Sequence, residues 1–169
     1  MLKEMVKENC KFCFMEVSSH SLSQFRVYAI KYKVGVFTNI SHDHLDYHKT
    51  FENYLRTKKS FFDSLAVDSK LIYNSDDKNS LKIVKDSNAE IKTYSIRNKT
   101  DYSCKVIEST IDGLHLKINN KEIYTRVCGE FNAYNLLAAY ATCIELNLQK
   151  EMVLIAISNI VAAEGRFEI

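Results

Sequence analysis

The amino-acid sequence predicts an α/β fold: a mainly parallel sheet flanked by helices, with an antiparallel meander at residues 102–128. Three continuous apolar runs of strand length occur at residues 12–17, 34–38 and 70–73, and a helical pattern separates the last two. Such continuous apolar strands are typical of parallel sheets that are covered on both faces. The 169 residues, 46% of them hydrophobic, are enough for one domain with its own core.

Before the meander, the predicted elements alternate between helix and strand. The longest helix is predicted at residues 50–65, because Tyr54, Leu55 and Phe62 share one face at about 100° per residue. The full order is a helix at 2–9, strands at 12–17 and 34–38, the helix at 50–65, a strand at 70–73, a polar turn at 74–77, a helix at 80–85 and a strand at 91–95.

The pattern changes at residues 102–128, which predict the meander. Asp112-Gly113 and Asn119-Asn120 are hairpin turn signals, and apolar and polar side chains alternate between and after them. His115 falls on the polar face, so its side chain is predicted to be solvated. The last two predicted helices lie at residues 131–146 and 151–161.

Two polar clusters follow the ends of the first two predicted strands. Glu16 ends one strand, and His44 belongs to the histidine-rich segment 39–48 that follows the next. In open parallel sheets, functional residues gather just past the carboxyl ends of the strands, so these clusters predict a site. Imidazole and carboxylate groups together can hold a divalent cation or transfer protons.

Lys58 lies at the centre of the apolar face of the helix predicted at residues 50–65. An ammonium group buried without a partner is costly, so three outcomes stay open. The side chain could extend past the helix edge to water, it could find a carboxylate or lose its proton, or it could add carbon dioxide and become a carbamate. A carbamate is anionic, and its oxygen atoms are suited to Mg²⁺.

A polar segment past the first predicted strand is a candidate binding site. Ser18, Gln24 and Arg26 offer a hydroxyl, an amide and a guanidinium group, and arginine suits carboxylate or phosphate groups. A helix N-cap at Ser21 or Ser23 is the alternative explanation for the serines.

Asn132 and Asn135 lie near the start of the helix predicted at residues 131–146. Asn132 could cap this helix. Because an asparagine side chain presents a donor and an acceptor together, the two residues could instead pair with the edge of a purine.

The composition excludes several classes of function. The net charge is +2 and the basic residues are scattered, so no nucleic-acid partner is predicted. No apolar run reaches the roughly 18 residues of a membrane span, and the N-terminus lacks the apolar core of a secretory signal. The five cysteines predict buried free thiols in a reducing cytoplasm. The Cys10-Lys-Phe-Cys13 motif lacks the second pair that a zinc site needs.

Eight motifs occur together along the chain. They are Glu16-Val-Ser-Ser-His20, Gln24-x-Arg26-Val27, Phe37-Thr-Asn39, Asp43-His-Leu-Asp-Tyr-His48, Tyr54 with Lys58, Asn74-x-Asp76-Asp77, Gly129-x-Phe131-Asn132-x-x-Asn135, and Gly165-Arg166-x-Glu168. In this order and at this spacing, the set resembles the Mur ligase family. The first and fourth motifs are most similar to the members that add the third residue of the peptidoglycan stem peptide.

The resemblance implies an ATP-dependent ligase that forms an amide bond through an acyl phosphate. Its substrates would be UDP-MurNAc-L-Ala-D-Glu and a diamino acid, either meso-diaminopimelate or L-lysine. The implied site residues are Glu16, His44 and Lys58 for catalysis and Mg²⁺ binding, with Lys58 carbamylated; Ser18, Gln24 and Arg26 for the muramoyl-peptide substrate; and Asn132, Asn135 and Arg166 for ATP.

One departure from the family pattern is large. The phosphate-binding motif G-x-x-x-x-G-K-[ST] is absent, and the four glycines are too widely spaced to supply it. Residues 1–164 are therefore expected to be the latter part of the central ATP-binding domain, and residues 165–169 the start of the C-terminal domain. We expect the chain to be inactive alone and to need the missing parts of the same ligase.

Two other interpretations stay open at this point. The motif His42-x-His44-x-Asp46-x-His48 is similar to the H-x-H-x-D-H motif of metallo-β-lactamase-like hydrolases, although one extra residue precedes the last histidine. The chain could also be an inactive remnant that acts as an interaction module.

Overall fold

The structure is a computed structural model that describes residues 2–41 and 44–161. The chain divides into two compact units, Met1–Ile30 and Lys31–Ile169. Among the described residues, no helix is both long and apolar enough to cross a membrane.

The first unit contains two short helices, α1 (Leu2–Lys7) and α2 (Ser19–Ser23). Residues 10–18 between them form neither helix nor strand, so the strand predicted at residues 12–17 is wrong. Phe12 and Phe14 are 42% and 67% exposed, so the apolar composition of the segment does not produce a buried strand.

The second unit is built on a six-stranded sheet whose strands lie side by side in chain order. The first four strands are parallel, and the last three form the antiparallel meander, with the fourth strand shared. This confirms the predicted α/β class and the position of the meander. The strands are β1 (Val34–Phe37), β2 (Lys70–Asn74), β3 (Glu90–Ser95), β4 (Tyr102–Thr110), β5 (Gly113–Ile118) and β6 (Lys121–Thr125).

Five helices connect and cover these strands. The helices predicted at residues 50–65, 80–85, 131–146 and 151–161 are confirmed to within a few residues at each end. A short helix at residues 45–48 was not predicted. Thr50 caps the long helix of the first connection, because its Oγ1 accepts a hydrogen bond from the Asn53 backbone N–H at 3.2 Å. The helices are α3 (Leu45–His48), α4 (Phe51–Asp63), α5 (Ser80–Val84), α6 (Glu130–Glu145) and α7 (Lys150–Ser158).

The two faces of the sheet pack against different helices. Leu137 and Tyr140 of α6 are buried in the core cluster of one face, against which Val34 and Val36 of β1 also pack. Because side chains alternate along a strand, Gly35 points to the other face. A methyl group added at Gly35 would lie 2.8 Å from Leu65 Cδ1, so β1 and the end of the α4 region are in close contact.

The meander confirms both turn signals and corrects one detail. Asn119 and Asn120 both have positive φ angles, as a two-residue hairpin turn requires. His115 is not solvated as predicted, because its ring stacks on Tyr124 of the neighbouring strand with centroids 4.0 Å apart. The two residues are direct partners in the β5–β6 register, so the Tyr124 ring covers the imidazole of His115.

Candidate functional site

Polar groups gather beyond the carboxyl ends of β1, β2 and β3, where ligands bind in open parallel sheets. Asp77 joins the first two strand ends: one carboxylate oxygen accepts a hydrogen bond from the Ile40 backbone N–H at 3.2 Å. The other oxygen accepts from the Asn79 backbone N–H at 2.8 Å. The loops that follow β1 and β2 are therefore fixed to each other by one side chain.

Asp76 forms the most extensive network at this edge. Its carboxylate accepts hydrogen bonds from the Ser95 hydroxyl at 2.7 Å and the Ile96 backbone N–H at 3.0 Å. The Asn98 amide and the Tyr134 hydroxyl donate to it at 3.2 and 3.1 Å. Burial opposes ionisation of Asp76, but these donors outweigh it and hold the pKa of the carboxyl below its ordinary value.

The Asp76 network links three elements that the sequence does not bring together: the end of β2, the loop after β3, and α6. Sequence reasoning placed Asp76 in a motif but gave it no contacts. The feature of the sequence that could have indicated these contacts is the position of Asp76 just after the strand predicted at residues 70–73. Tyr134, the partner on α6, was missed, and burial together with the bond to Asp76 raises the pKa of its hydroxyl to about 12.

An aromatic cluster surrounds the histidines after β1. The Tyr54 ring stacks on the buried His48 at 5.2 Å and meets the edge of His44 at 5.8 Å. His44 has a φ of 57°, a left-handed conformation that is uncommon for a residue other than glycine. Backbone strain of this kind collects at ligand-binding sites.

Lys58 lies four residues after Tyr54 on α4, and residues four apart share one face of a helix. The structure therefore places His44 against Tyr54, and Lys58 one turn further along the same helix face. The Lys58 side chain is half-buried. That His44 and Lys58 act together at one site stays a prediction.

The neighbouring lysine has a different environment. The Lys59 ammonium group lies 2.6 Å from an Asp63 oxygen and 2.7 Å from an Asp86 oxygen, and its side chain is 15% exposed. Burial disfavours the charge, but the two carboxylates outweigh this effect and raise the pKa of Lys59. Lys59 therefore links α4 to the segment after α5.

Four predicted site residues lie in the first unit. Glu16 is exposed in the segment without regular structure. Ser18, rather than Ser21 or Ser23, caps α2, and its hydroxyl accepts from the Ser21 backbone N–H at 3.1 Å. The other two residues, Gln24 and Arg26, are both exposed just after α2. That Glu16 joins His44 and Lys58 at one metal ion stays a prediction.

Asn132 and Asn135 form a pair at the start of α6. The Asn135 amide donates to the Asn132 side-chain oxygen at 3.1 Å, and the Asn132 amide donates to the Cys128 carbonyl at 2.7 Å. Gly129, with a φ of 85°, is the residue that caps the helix, so the alternative of an Asn132 cap is wrong. Tyr134, which bonds to Asp76, lies between the two asparagines in the sequence of α6.

Some predicted residues lie outside the part of the chain that the structure describes. They are His42 and Asp43 of the histidine-rich segment, Arg166 of the expected ATP site, and the expected start of a further domain at residues 165–169. Within residues 2–41 and 44–161, no three histidine, cysteine or acidic side chains are grouped so as to hold a metal ion.

A parallel sheet with polar side chains fixed beyond its carboxyl ends defines an α/β domain of the ligand-binding class. The chain belongs to the Mur ligase family: the sequence profile of the Mur ligase middle domain matches residues 1–143. Membership of this family replaces the interpretation as a metallo-β-lactamase-like hydrolase.

The similar proteins include ligases with one common name. The UDP-N-acetylmuramoyl-L-alanyl-D-glutamate--2,6-diaminopimelate ligase of Cytophaga hutchinsonii is 47% identical over 168 residues, which are 99% of this chain and 35% of that protein. The ligase of the same name from Bacillus velezensis is 38% identical over 177 residues, covering 99% of this chain and 36% of that protein. The chain therefore spans about a third of the length of the curated relatives it matches.

Solved structures show the same fold. A structure of UDP-N-acetylmuramoyl-L-alanyl-D-glutamate--2,6-diaminopimelate ligase superimposes with a TM-score of 0.86 at 26% identity, over 99% of this chain and 36% of that one. MurF from Acinetobacter baumannii gives a TM-score of 0.73 at 18% identity, over 80% of this chain and 31% of that one. The latter likeness shows the shared fold alone.

Proposed function

We propose that this chain is the latter part of the central domain of an ATP-dependent ligase of peptidoglycan synthesis. The ligase adds diaminopimelate to UDP-MurNAc-L-Ala-D-Glu. The observation that carries this proposal is the 47% identity to a ligase of that name over 99% of the chain. Of the two diamino acids that the sequence left open, the names of the relatives favour diaminopimelate over L-lysine.

The proposed reaction has two steps. The terminal phosphoryl group of ATP moves to the side-chain carboxylate of D-glutamate, which gives an acyl phosphate. An amino group of diaminopimelate then attacks the acyl carbon, and phosphate leaves as the amide bond forms. Positioning of the reactants and neutralisation of the developing negative charge supply most of the catalysis in such reactions.

Glu16, His44 and the carbamylated Lys58 are the proposed Mg²⁺ ligands. The carboxylate and the carbamate supply the oxygen donors that Mg²⁺ prefers. His44 is included because the resemblance to the family implies it. The position of His44 on Tyr54, one helical turn from Lys58, supports two of the three ligands. When bound, the ion would neutralise charge on the transferring phosphoryl group.

The remaining site residues divide between the two substrates. We assign Ser18, Gln24 and Arg26 to the muramoyl peptide; the exposure of Gln24 and Arg26 leaves both accessible to a ligand. Asn132 and Asn135 are assigned to the adenine of ATP, because the hydrogen bond between their amides orients donor and acceptor groups at the start of α6. Arg166 completes the proposed nucleotide contacts.

A chimaeric ligase tests this function directly. The matching third of the Cytophaga hutchinsonii ligase would be replaced by this chain, and diaminopimelate-dependent phosphate release would be measured. We expect the chimaera to be active and this chain alone to be inactive. A chimaera that folds but releases no phosphate with either diaminopimelate or L-lysine would refute the proposal.

Two variants of the chimaera separate the adjacent lysines. Lys58→Ala is expected to lose most of the activity and to regain part of it when short-chain carboxylic acids are added, because they can replace the carbamate. Lys59→Ala is the matched control: it removes the ion pairs to Asp63 and Asp86, so added acid should restore nothing. Undiminished activity of Lys58→Ala would reject the carbamate role.

A further inference from the structure

The Cys10-Lys-Phe-Cys13 motif belongs to neither the proposed metal site nor the proposed nucleotide site. Both thiols are exposed, contrary to the sequence-based expectation that the cysteines are buried. We propose that Cys10 and Cys13 form a reversible dithiol–disulfide site, which exchanges with small-molecule disulfides of the glutathione type. The proposal does not depend on the ligase function.

The three other cysteines are poorly suited to such exchange. Cys104 is 3% exposed, and burial raises the pKa of its thiol to about 12. Burial also raises the pKa of the Cys143 thiol. The Cys128 thiol donates a hydrogen bond to the Ile111 carbonyl at 2.7 Å. Because the thiolate is the form that attacks a disulfide, a thiol that is buried or hydrogen-bonded as a donor reacts slowly.

The backbone around Cys10 and Cys13 is compatible with a bridge. The chain bends at Lys11, between the two cysteines. A disulfide needs Cα atoms about 4.4–6.8 Å apart, a separation that this segment would reach by closing into a turn. Residues 11–13 form neither helix nor strand, so this closure changes no regular element.

The proposed exchange balances in atoms and electrons. The thiolate of one cysteine attacks a sulfur of oxidised glutathione, and one glutathione thiolate leaves. The second cysteine then attacks the protein sulfur of this mixed disulfide, and the second glutathione leaves. Two protein thiols are oxidised to one disulfide, and one glutathione disulfide is reduced to two thiols.

A zinc site would be the other use of a C-x-x-C pair. A structural zinc ion takes four ligands, so the pair would need two more. In the described part of the chain, no third histidine, cysteine or acidic side chain is grouped with the two thiols. The disulfide is therefore the favoured use of the pair.

Cys13 lies three residues before Glu16. Oxidation would therefore restrain the segment that carries a proposed magnesium ligand, and this consequence does rest on the proposed function.

The test uses the whole 169-residue chain in glutathione buffers of increasing oxidised-to-reduced ratio. After acid quenching, free thiols are alkylated and peptides are mapped by mass spectrometry. We expect Cys10 and Cys13 to lose alkylation together, as a species lighter by two hydrogens. Because the second thiol acts at a high effective concentration, this should occur at a ratio at least about tenfold lower than modification of Cys128.

Single variants provide the controls. In Cys10→Ser, Cys13 should react only as a mixed disulfide with glutathione, at a ratio at least about tenfold higher than in the native chain. Cys128→Ser should leave the half-oxidation ratio of the pair unchanged. The proposal is overturned if the pair stays alkylated at every ratio, if each thiol carries its own glutathione, or if added zinc is retained after desalting and blocks alkylation.

Discussion

Two tyrosine–carboxylate pairs lie at opposite ends of strand β2, and they are built differently. Beyond the carboxyl end of the strand, the Tyr134 hydroxyl donates to Asp76 at 3.1 Å. At the other end, the Tyr102 hydroxyl donates to Glu145 at 2.6 Å. Glu145 also accepts from the ammonium group of Lys70, the first residue of β2.

The difference lies in how each negative charge is balanced. Glu145 has 7% of its side chain exposed and a cation beside it, and its hydrogen bond to Lys70 raises the pKa of that lysine. The four hydrogen bonds described for Asp76 come from neutral groups instead. The edge opposite the expected ligands therefore balances its charge internally. Beyond the carboxyl ends, Asp76 holds a negative charge to which no cation is bonded among the described residues.

Among the variants that test this comparison, Glu145→Ala is expected to lower the free energy of unfolding most. The change leaves the Lys70 ammonium and the Tyr102 hydroxyl without their acceptor. Breaking a buried ion pair costs about 3–5 kcal/mol, and we expect about 2–3 kcal/mol because the Lys70 side chain is 30% exposed. Urea denaturation measures the change in the free energy of unfolding.

Glu130→Ala is the matched control for that variant, since Glu130 is an exposed acid at the other end of the same helix. Its loss should stay below about 1 kcal/mol, the range for an acid at a helix N-terminus. If Glu145→Ala costs no more than this control, the Lys70–Glu145–Tyr102 network does not stabilise the fold.

An intermediate effect is expected from Asp76→Asn, and it should depend on pH. The native pKa of Asp76 lies below the ordinary value of 3.8, so the ionised carboxylate stabilises the fold above about pH 4. That contribution is lost as the pH falls through the native pKa. We expect Asp76→Asn to cost about 1–2 kcal/mol at pH 7, from weaker bonds to its donors.

Urea midpoints of the native chain and the Asp76→Asn variant, compared at pH 7 and pH 3, check this expectation. The difference in urea midpoint between the native chain and the Asp76→Asn variant should be smaller at pH 3 than at pH 7. Other carboxylates titrate in both proteins alike, so the difference isolates Asp76. A gap of equal size at both pH values would contradict the lowered pKa.

Effects of similar size or smaller should come from removing single hydroxyl groups. Tyr102→Phe takes a 2.6 Å bond from a carboxylate, whereas Tyr134→Phe leaves Asp76 with three donors. We expect losses of about 1.5 and below about 1 kcal/mol respectively. Tyr124→Phe, an exposed tyrosine on β6, should cost little in the same urea measurement. An equal loss for the first two variants would remove the distinction between the two ends of the strand.

The local parts of the fold could be predicted from the sequence. Apolar periodicity gave β1 to β3 and the helix α4, and turn signals such as Asn119-Asn120 gave the hairpins. The failures concern residues whose composition does not decide their environment. Residues 12–17 have the composition of a strand but form neither helix nor strand. His115 has the position of a solvated side chain, yet it stacks on its neighbour Tyr124 across the strand pair.

The candidate site likewise contains residues that local motifs indicated and contacts that they did not. Motifs selected His44, Lys58 and the Asn132–Asn135 pair, because each motif lies within a few residues of sequence. The contacts of Asp76 and Glu145 were not predicted, since they join positions far apart in the chain. Tyr134 and Asp76 are separated by 58 residues, and Lys70 and Glu145 by 75. No local pattern encodes such pairs.

The close approach at Gly35 limits how this region can vary. Leu65 Cδ1 and Phe61 Cε1 would lie 2.8 and 3.2 Å from any side chain that began there. Volume gained at position 35 must be removed from position 61 or 65, or α4 must move away from the strand and carry Lys58 with it. In related sequences, a larger residue at position 35 should therefore occur together with a smaller residue at position 61 or 65, so substitutions at the three positions should be correlated.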